Sequence, residues 1–253
     1  MTPSHFAGGK QDRVAVLAVD RELGERLQGQ RLAQAEALSV ARVLRRPTGV
    51  WDAKDDAGQG RDGFGLLVLE GMLVRRVGLE GRFGAELLSD GDILQPWAHD
   101  GEEATLPFEA IWRVLSPLRL AVLDLDWLAR MARFPEVSAA LMTRAMVRSR
   151  RLASILAIAH HHRLDDRLRL FFWELADRYG RVRRDGVHLD VNLTHELISH
   201  LVGAHRPPVS SALARLERGG HIRRLDRGWL LLGRPPTRSE FGAQASAPDL
   251  DPV

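Results

Sequence analysis

Between Leu193 and Ile222 the chain runs LTHELISHLVGAHRPPVSSALARLERGGHI, and its polar residues are spaced to present hydrogen-bond donors along one side of a helix. Arg206 opens the second half of this stretch, with His205 just before it and Ser210 and Ser211 next along the face read as exposed. A guanidinium is a planar fork of donors that fits the O6/N7 edge of a guanine or two phosphate oxygens, and hydroxyls reach bases or phosphates. Thr194 supplies a further hydroxyl for phosphate, and His205 either caps its helix or meets phosphate. Arg215, Arg218, Arg223, Arg224 and Arg227 follow as backbone-phosphate contacts or solvated charges.

Two short helices joined by a tight turn must position these groups. Thr194 suits an N-cap, and Glu196 in the first turn complements the helix dipole. Leu197, Ile198, Leu201 and Val202 recur at helical spacing. Gly203 ends that helix, and Ala204 keeps the turn small. Pro207 and Pro208 are tolerated in the next helix because first-turn N–H groups have no intrahelical partner. Val209, Leu213 and Leu216 form its buried stripe, and Gly219-Gly220 ends it. Ile222 then starts a strand, Asp226-Arg227-Gly228 is a turn, and Trp229 to Leu232 is a second strand. A helix-turn-helix followed by a hairpin is a winged helix, in which the second helix enters the major groove of double-stranded DNA.

Leu193, Thr194, Leu201, Val202, Gly203, Ala204, Arg206, Val209, Leu213, Leu216, Glu217, Gly220 and Ile222 together resemble the DNA-binding motif of the Crp/Fnr family. The resemblance implies a homodimer reading a two-fold operator, with RNA polymerase as a further partner and a small-molecule effector unidentified or absent. It also implies that Arg206 reaches a guanine edge. The departures are local. Pro207 and Pro208 stand where members commonly present a base-reading Glu and a hydroxyl residue, and Ser211 stands where a second arginine often sits. The family's best-known operator is therefore not expected.

Composition supports this reading. The chain has 253 residues, enough for two domains with cores, and no cysteine, which excludes disulfides, iron–sulfur clusters and thiolate zinc sites. No apolar run reaches the length of a membrane span and no signal peptide opens the sequence, so a cytoplasmic protein is expected, with no membrane partner. The net charge is +3. Residues 1–130 carry 16 basic and 20 acidic side chains, whereas 181–234 carry 10 and 5, so the positive charge lies where phosphate binding requires it.

The expected fold is α+β, with residues 1–12 disordered and a sensor domain over 13–126. A connecting and dimerising helix over 127–162, a winged helix over 163–234 and a disordered tail over 235–253 follow. Leu23 to Leu38 reads as a helix. Short β-like runs then suggest an antiparallel sandwich or jelly roll: 41–44, 64–69, 72–77, 85–88, 93–94, 111–115 and 118–123. Residues 67–74 read as a hairpin turning at Gly71, similar to one in the cyclic-nucleotide-binding domain, the sensor of the family. Gly91-Asp92-Ile93-Leu94 resembles the entry to that domain's phosphate-binding cassette. Nucleotide binders continue with an arginine and a hydroxyl residue, whereas Leu106 to Ala110 offers Pro107 and Glu109. An acid there repels phosphate, so the jelly roll is expected without its nucleotide site, and Arg113 lies off position.

Asp126 to His162 reads as helix, with its main part starting at Pro135. Leu141, Ala145, Arg148, Leu152, Ile155 and Ala159 recur at spacings of four and three, as in a dimer seam, with Arg148 obliged to snorkel or pair with an acid. His160-His161-His162 cannot ligate one ion from a helix, because neighbours point about 100° apart. The interdomain hinge is expected there. The helix to Tyr179 then turns Leu168, Phe171, Phe172 and Leu175 inward. No metal and no cofactor is expected, heme included. Nothing defensible as a Ser/His/Asp set, carboxylate pair or phosphate loop is found, so no enzyme is expected. Two alternatives remain: a metal-dependent, cupin-like jelly-roll enzyme, for which the sheet region offers only His99, and a winged-helix module that does not bind DNA.

Overall fold

The computed structural model describes residues 12–56, 60–96 and 106–237. Residues 1–11, His99 and residues 238–253 of the tail therefore lie outside the described residues. Asp12 itself, placed in the disordered start by the sequence reading, accepts a hydrogen bond from Val43 N through its carbonyl at 2.8 Å. The chain forms two compact units, 1–151 and 152–253.

In the first unit, β1 (Arg13–Ala15), α1 (Val16–Val19), a 3₁₀ turn (Arg21–Gly24) and α2 (Gly29–Leu38) precede the sheet. The helix expected from Leu23 to Leu38 is thus interrupted at residues 25–28. The sheet comprises β2 (Val40–Arg46), β3 (Gly49–Trp51), β4 (Gly65–Leu79), β5 (Arg82–Ser89), β6 (Ile93–Leu94) and β7 (Glu109–Leu123). Its order is β1-β2-β7-β4-β5, with β3 on β7 and β6 on β4, and every pairing is antiparallel.

The hairpin expected at Gly71 is not there. Residues 65–79 are one bulged strand, and the chain reverses instead at Glu80-Gly81. Val68 pairs Leu120 and Leu73 pairs Val114, five residues apart on β4 but six on β7. This slip reverses the alternation of β4, so Leu66, Val68 and Leu73 all face one interior with Leu88, Trp112, Val114, Leu118, Leu120 and Val122. Without it Leu73 would point outward. Gly71 has φ +104, and an ideal Cβ there would stand 2.3 Å from Pro117 O, so the glycine serves close strand approach and not a turn. The runs 111–115 and 118–123 are likewise one strand, β7.

The opposite face of the sheet carries Leu67, Leu69, Ala121 and Leu123 and is covered by helices. α3 (Leu125–Met131) starts on Asp124, whose carboxylate accepts from Trp127 N at 2.9 Å, and Trp127 Nε1 donates to Ser39 O at 2.9 Å. α4 (Pro135–Ala159) is a separate helix: Pro135 disfavours helical backbone at buried Phe134, so the continuous helix expected from Asp126 is broken at 132–134. α4 runs on into the second unit, and residues 160–162 follow its end.

The second unit contains α5 (Leu164–Tyr179), β8 (Gly180–Arg183), β9 (Gly186–Leu189), α6 (His195–Leu201), α7 (Arg206–Arg218), β10 (Ile222–Arg224) and β11 (Trp229–Leu231). Its sheet order is β10-β11-β9-β8. Leu168, Phe171, Phe172 and Leu175 of α5 are buried, as their spacing predicts. The β8–β9 hairpin has no counterpart among the elements expected from the sequence.

Gly71→Ala should cost about 2 kcal/mol or more in urea unfolding, because both φ and the Pro117 carbonyl oppose a Cβ. Gly81→Ala, where φ is +77 but nothing lies within 4 Å, should cost about 1 kcal/mol. Equal losses would show that the bulge does not need its glycine.

Candidate nucleic-acid interface

The two helices of the predicted motif form with the caps their sequence implies. Thr194 Oγ1 accepts from Leu197 N at 3.1 Å, and Thr194 remains exposed with its hydroxyl proton free to be donated. Gly203, at φ +63, makes the turn, and Ala204 N donates to Ser199 O at 2.9 Å. Arg167 fixes this turn from α5: its guanidinium donates to Val202 O at 3.1 Å and to His161 O at 2.8 Å. The charge pattern does not single out Arg167, because nothing in a sequence distinguishes a carbonyl-capping arginine from a solvated one.

α7 buries Val209, Ala212, Leu213 and Leu216. Its other side exposes Arg206, Pro207, Pro208, Ser211, Ala214 and Arg218. Arg206 occupies the first helical position, after His205, whose side chain makes no cap bond. Pro207 and Pro208 remove two of the unpaired N–H groups that a helix start normally offers to anions. The exposed polar donors at this end are therefore chiefly side chains, the Arg206 fork first among them. Pro207, Ser211 and Ala214 lie along one line of the helix, small and mostly apolar, as suits approach to thymine methyls.

Three predicted contact residues do other work. Ser210 is half-buried, and its Oγ lies 3.0 Å from His195 Nδ1, tying α7 to α6. Arg215 pairs Asp165 of α5, with Nε and Nη2 donating at 2.9 and 2.6 Å. Hydrogen bonding to Arg215 holds the Asp165 carboxyl below its ordinary range despite opposing desolvation. Arg224 donates to Leu193 O at 2.8 Å and Asn192 Oδ1 at 3.0 Å, and its guanidinium lies 4.6 Å from the Trp229 ring centre. Its backbone N–H is taken by Glu217 Oε1 at 2.8 Å. Arg224 thus straps the wing to the entry of α6 and the end of α7. Arg223 and Arg227 remain exposed on the wing. The additional β8–β9 hairpin brings exposed Arg181, Arg183 and Arg184, and its Asp185-Gly186 turn is the signal for it in the sequence.

Residues 166–235 match the family model of the Crp-like helix-turn-helix domain. Over this segment the chain is similar to Crp-like helix-turn-helix domains. Over 75–84% of its length the chain shares its fold with solved proteins of low identity. A cyclic nucleotide-binding domain containing protein from Listeria monocytogenes EGD-e has a TM-score of 0.61 at 14% identity, covering 84% of this chain and 96% of its own. A CooA mutant from Carboxydothermus hydrogenoformans gives 0.58 at 18%, covering 76% and 83%. A CRP-family transcriptional regulator from Thermus thermophilus gives 0.50 at 24%, covering 75% and 92%. No curated protein matches the sequence.

The first unit sharpens the sensor comparison. Glu109 and Ala110 begin β7, where Glu109 pairs Gly78, so they are not the cassette. The connection from β6 instead runs through 97–105, which lies outside the described residues; its sequence, WAHDGEEAT, has no arginine or lysine.

The dimer seam also needs correction. Leu141 is buried in its own domain's core, and Arg148 is held by Glu86 and Ile93 O, so neither is available to a second chain. Ala145 and Leu152 are exposed, while Ile155 and Ala159 are half-buried. The apolar side chains left open on α4 are Met142, Met146, Leu152 and Leu156, at 56, 59, 39 and 62% exposure.

Arg224→Ala should destabilise the Crp-like domain by about 1–3 kcal/mol, since it leaves two acceptors short and uncovers Trp229. Arg206→Ala should change stability by no more than about 0.5 kcal/mol. Chemical denaturation of both variants checks the division, and an unchanged Arg224→Ala would refute the strap.

Proposed function

We propose that the protein is a sequence-specific DNA-binding transcription regulator, cytoplasmic and not an enzyme. It acts as a homodimer that reads a two-fold operator with α7. The carrying observation is Arg206: exposed, at the first position of a helix whose opposite face is buried, inside a Crp-like domain. Ser211 reads beside it. Thr194, His205, Arg223 and Arg227 supply phosphate contacts, and Arg218 adds positive charge to the exposed face of α7.

Dimerisation through α4 is supported by the four exposed apolar side chains, of which Leu152 belongs to the seam expected from spacing and Met142, Met146 and Leu156 each lie one position after a seam residue. The metal-dependent alternative rests on His99, which lies outside the described residues; among the described residues no group of three or more His, Cys, Asp or Glu side chains is placed to hold an ion. A cyclic nucleotide as effector is disfavoured by the acidic, arginine-free segment after β6.

Selection from random duplexes should return a two-fold site. On that site Arg206→Ala should lose about 1–3 kcal/mol and relax one position in each half. Unchanged affinity and preference would remove α7 from the groove. Met146→Glu combined with Leu156→Glu should yield monomers in sedimentation, with folded-state circular dichroism retained; a persistent dimer would place the interface elsewhere.

A further inference from the structure

The interior of the curled sheet holds an ion cluster where apolar residues would be expected. On β4, Leu73 and Arg75 share a face; so do Leu88 and Glu86 on β5, and Val114 and Trp112 on β7. Leu73, Leu88, Trp112 and Val114 line the sheet's own core, so Arg75 and Glu86 point the same way. The two face each other in the ladder and pair at 2.9 Å, with Arg75 5.7 Å from the Trp112 ring centre.

Arg148 enters the same cluster from α4. Its Nε donates to Glu86 Oε1 at 2.6 Å, Nη2 to Oε2 at 2.9 Å, and Nη1 to Ile93 O at 2.7 Å. Glu86 thus bridges two guanidiniums, and the three side chains are only 12–20% exposed. One turn earlier, Arg144 pairs Asp20 and Glu22. Ile93 belongs to Gly91-Asp92-Ile93-Leu94, the stretch that resembles the entry to a phosphate cassette. A partly buried carboxylate and a carbonyl in such a place need donors, and a two-pronged guanidinium is among the strongest available.

We propose that Arg148 acts as a built-in ligand of the sensor domain, satisfying Glu86 and Ile93 O from α4 so that the helix is docked without a small molecule. This rests on the DNA-binding reading above and extends it: the protein binds its operator without a diffusible effector. A ligand shifts a conformational equilibrium only by preferring one state. Here a side chain of the same chain already supplies that preference, and an incoming anion would have to displace a two-pronged ion pair.

The test uses the full chain, stripped of small molecules by unfolding in guanidinium and refolding, on duplexes selected with the untreated protein. The stripped protein should bind within twofold of the untreated protein. Cyclic AMP, cyclic GMP and cyclic di-GMP should each change its affinity by less than twofold. Glu86→Gln and Arg148→Met should each weaken DNA binding at least tenfold and speed amide exchange along residues 139–151, with sheet amides unchanged. Glu86→Gln combined with Arg148→Met should weaken binding and speed exchange no more than threefold beyond the stronger single variant, as a shared contact requires, whereas fully additive losses would overturn the proposal. Stripped, refolded protein that binds only when a nucleotide is returned would overturn the proposal while leaving the DNA-binding reading intact. Variants that bind and exchange like the wild type would overturn it too. If the untreated protein selects no DNA, the DNA-binding reading fails by itself. The exchange data then decide the docking claim: faster exchange in Glu86→Gln supports it, unchanged exchange refutes it.

Discussion

The second unit is organised around the indole of Trp229. It is 1% exposed, on a strand flanked by β10 and β9. Its ring centre lies 5.1 Å from that of Phe172 on α5 and 6.3 Å from that of His195 on α6, with the Arg224 guanidinium 4.6 Å away. One side chain therefore touches the supporting helix, the first helix of the motif and the wing. Burying an indole is worth about 4–6 kcal/mol in transfer free energy. Its Nε1 finds no partner among the described residues, which offsets part of that gain. His195 bonds Ser210 from this same cluster, so the placement of α7 depends on it as well.

That dependence explains why several of the charges near the motif are engaged within the domain. Folding two helices and a wing onto one small core leaves carbonyls and carboxylates at the joints. Arginine, with five donors on a long stem, closes them: Arg167 at the turn, Arg215 to α5, Arg224 at the wing. In a chain with 34 arginines and 2 lysines, charge density alone overstates the binding surface. Free donors concentrate at Arg206 and on the wing, while Pro207 and Pro208 silence the backbone between the Arg206 and Val209 amides. The donors offered at this helix start are thus chiefly side chains and not backbone amides.

What is legible in the sequence follows from how local each signal is. Thr194, Gly203, the prolines and Gly219-Gly220 act within a few residues, and the helices of the motif fall where these residues put them. Gly71 carries an ambiguous signal: a glycine between two apolar runs marks either a turn or a bulge, and only the partner strand, through the Pro117 carbonyl, decides. Leu141 and Arg148 keep a correct helical period but do not name a partner, because spacing cannot say whether a stripe faces its own core or another chain. Arg148 is the discordant member of that stripe, and the acid it requires is Glu86, distant in sequence. The β8–β9 hairpin escapes the pattern because its alternation is short and its outward residues are arginines.

Two features of the first unit have one physical sense. The segment after β6 lacks any basic residue to meet a phosphate, and the sheet interior contains a carboxylate bridged by two guanidiniums. Either feature alone reads as drift. Together they leave the sequence between β6 and β7 without arginine or lysine and place a donor from α4 against the sheet. A buried two-pronged pair is rigid as well as strong, because losing one partner strands the other charge in a poorly hydrated site. Burial works against the Arg148 charge, yet its bonds to Glu86 hold the guanidinium above its ordinary basicity, whereas burial lowers that of Arg75. A sheet in this condition is a fixed support for the part of α4 that packs on it.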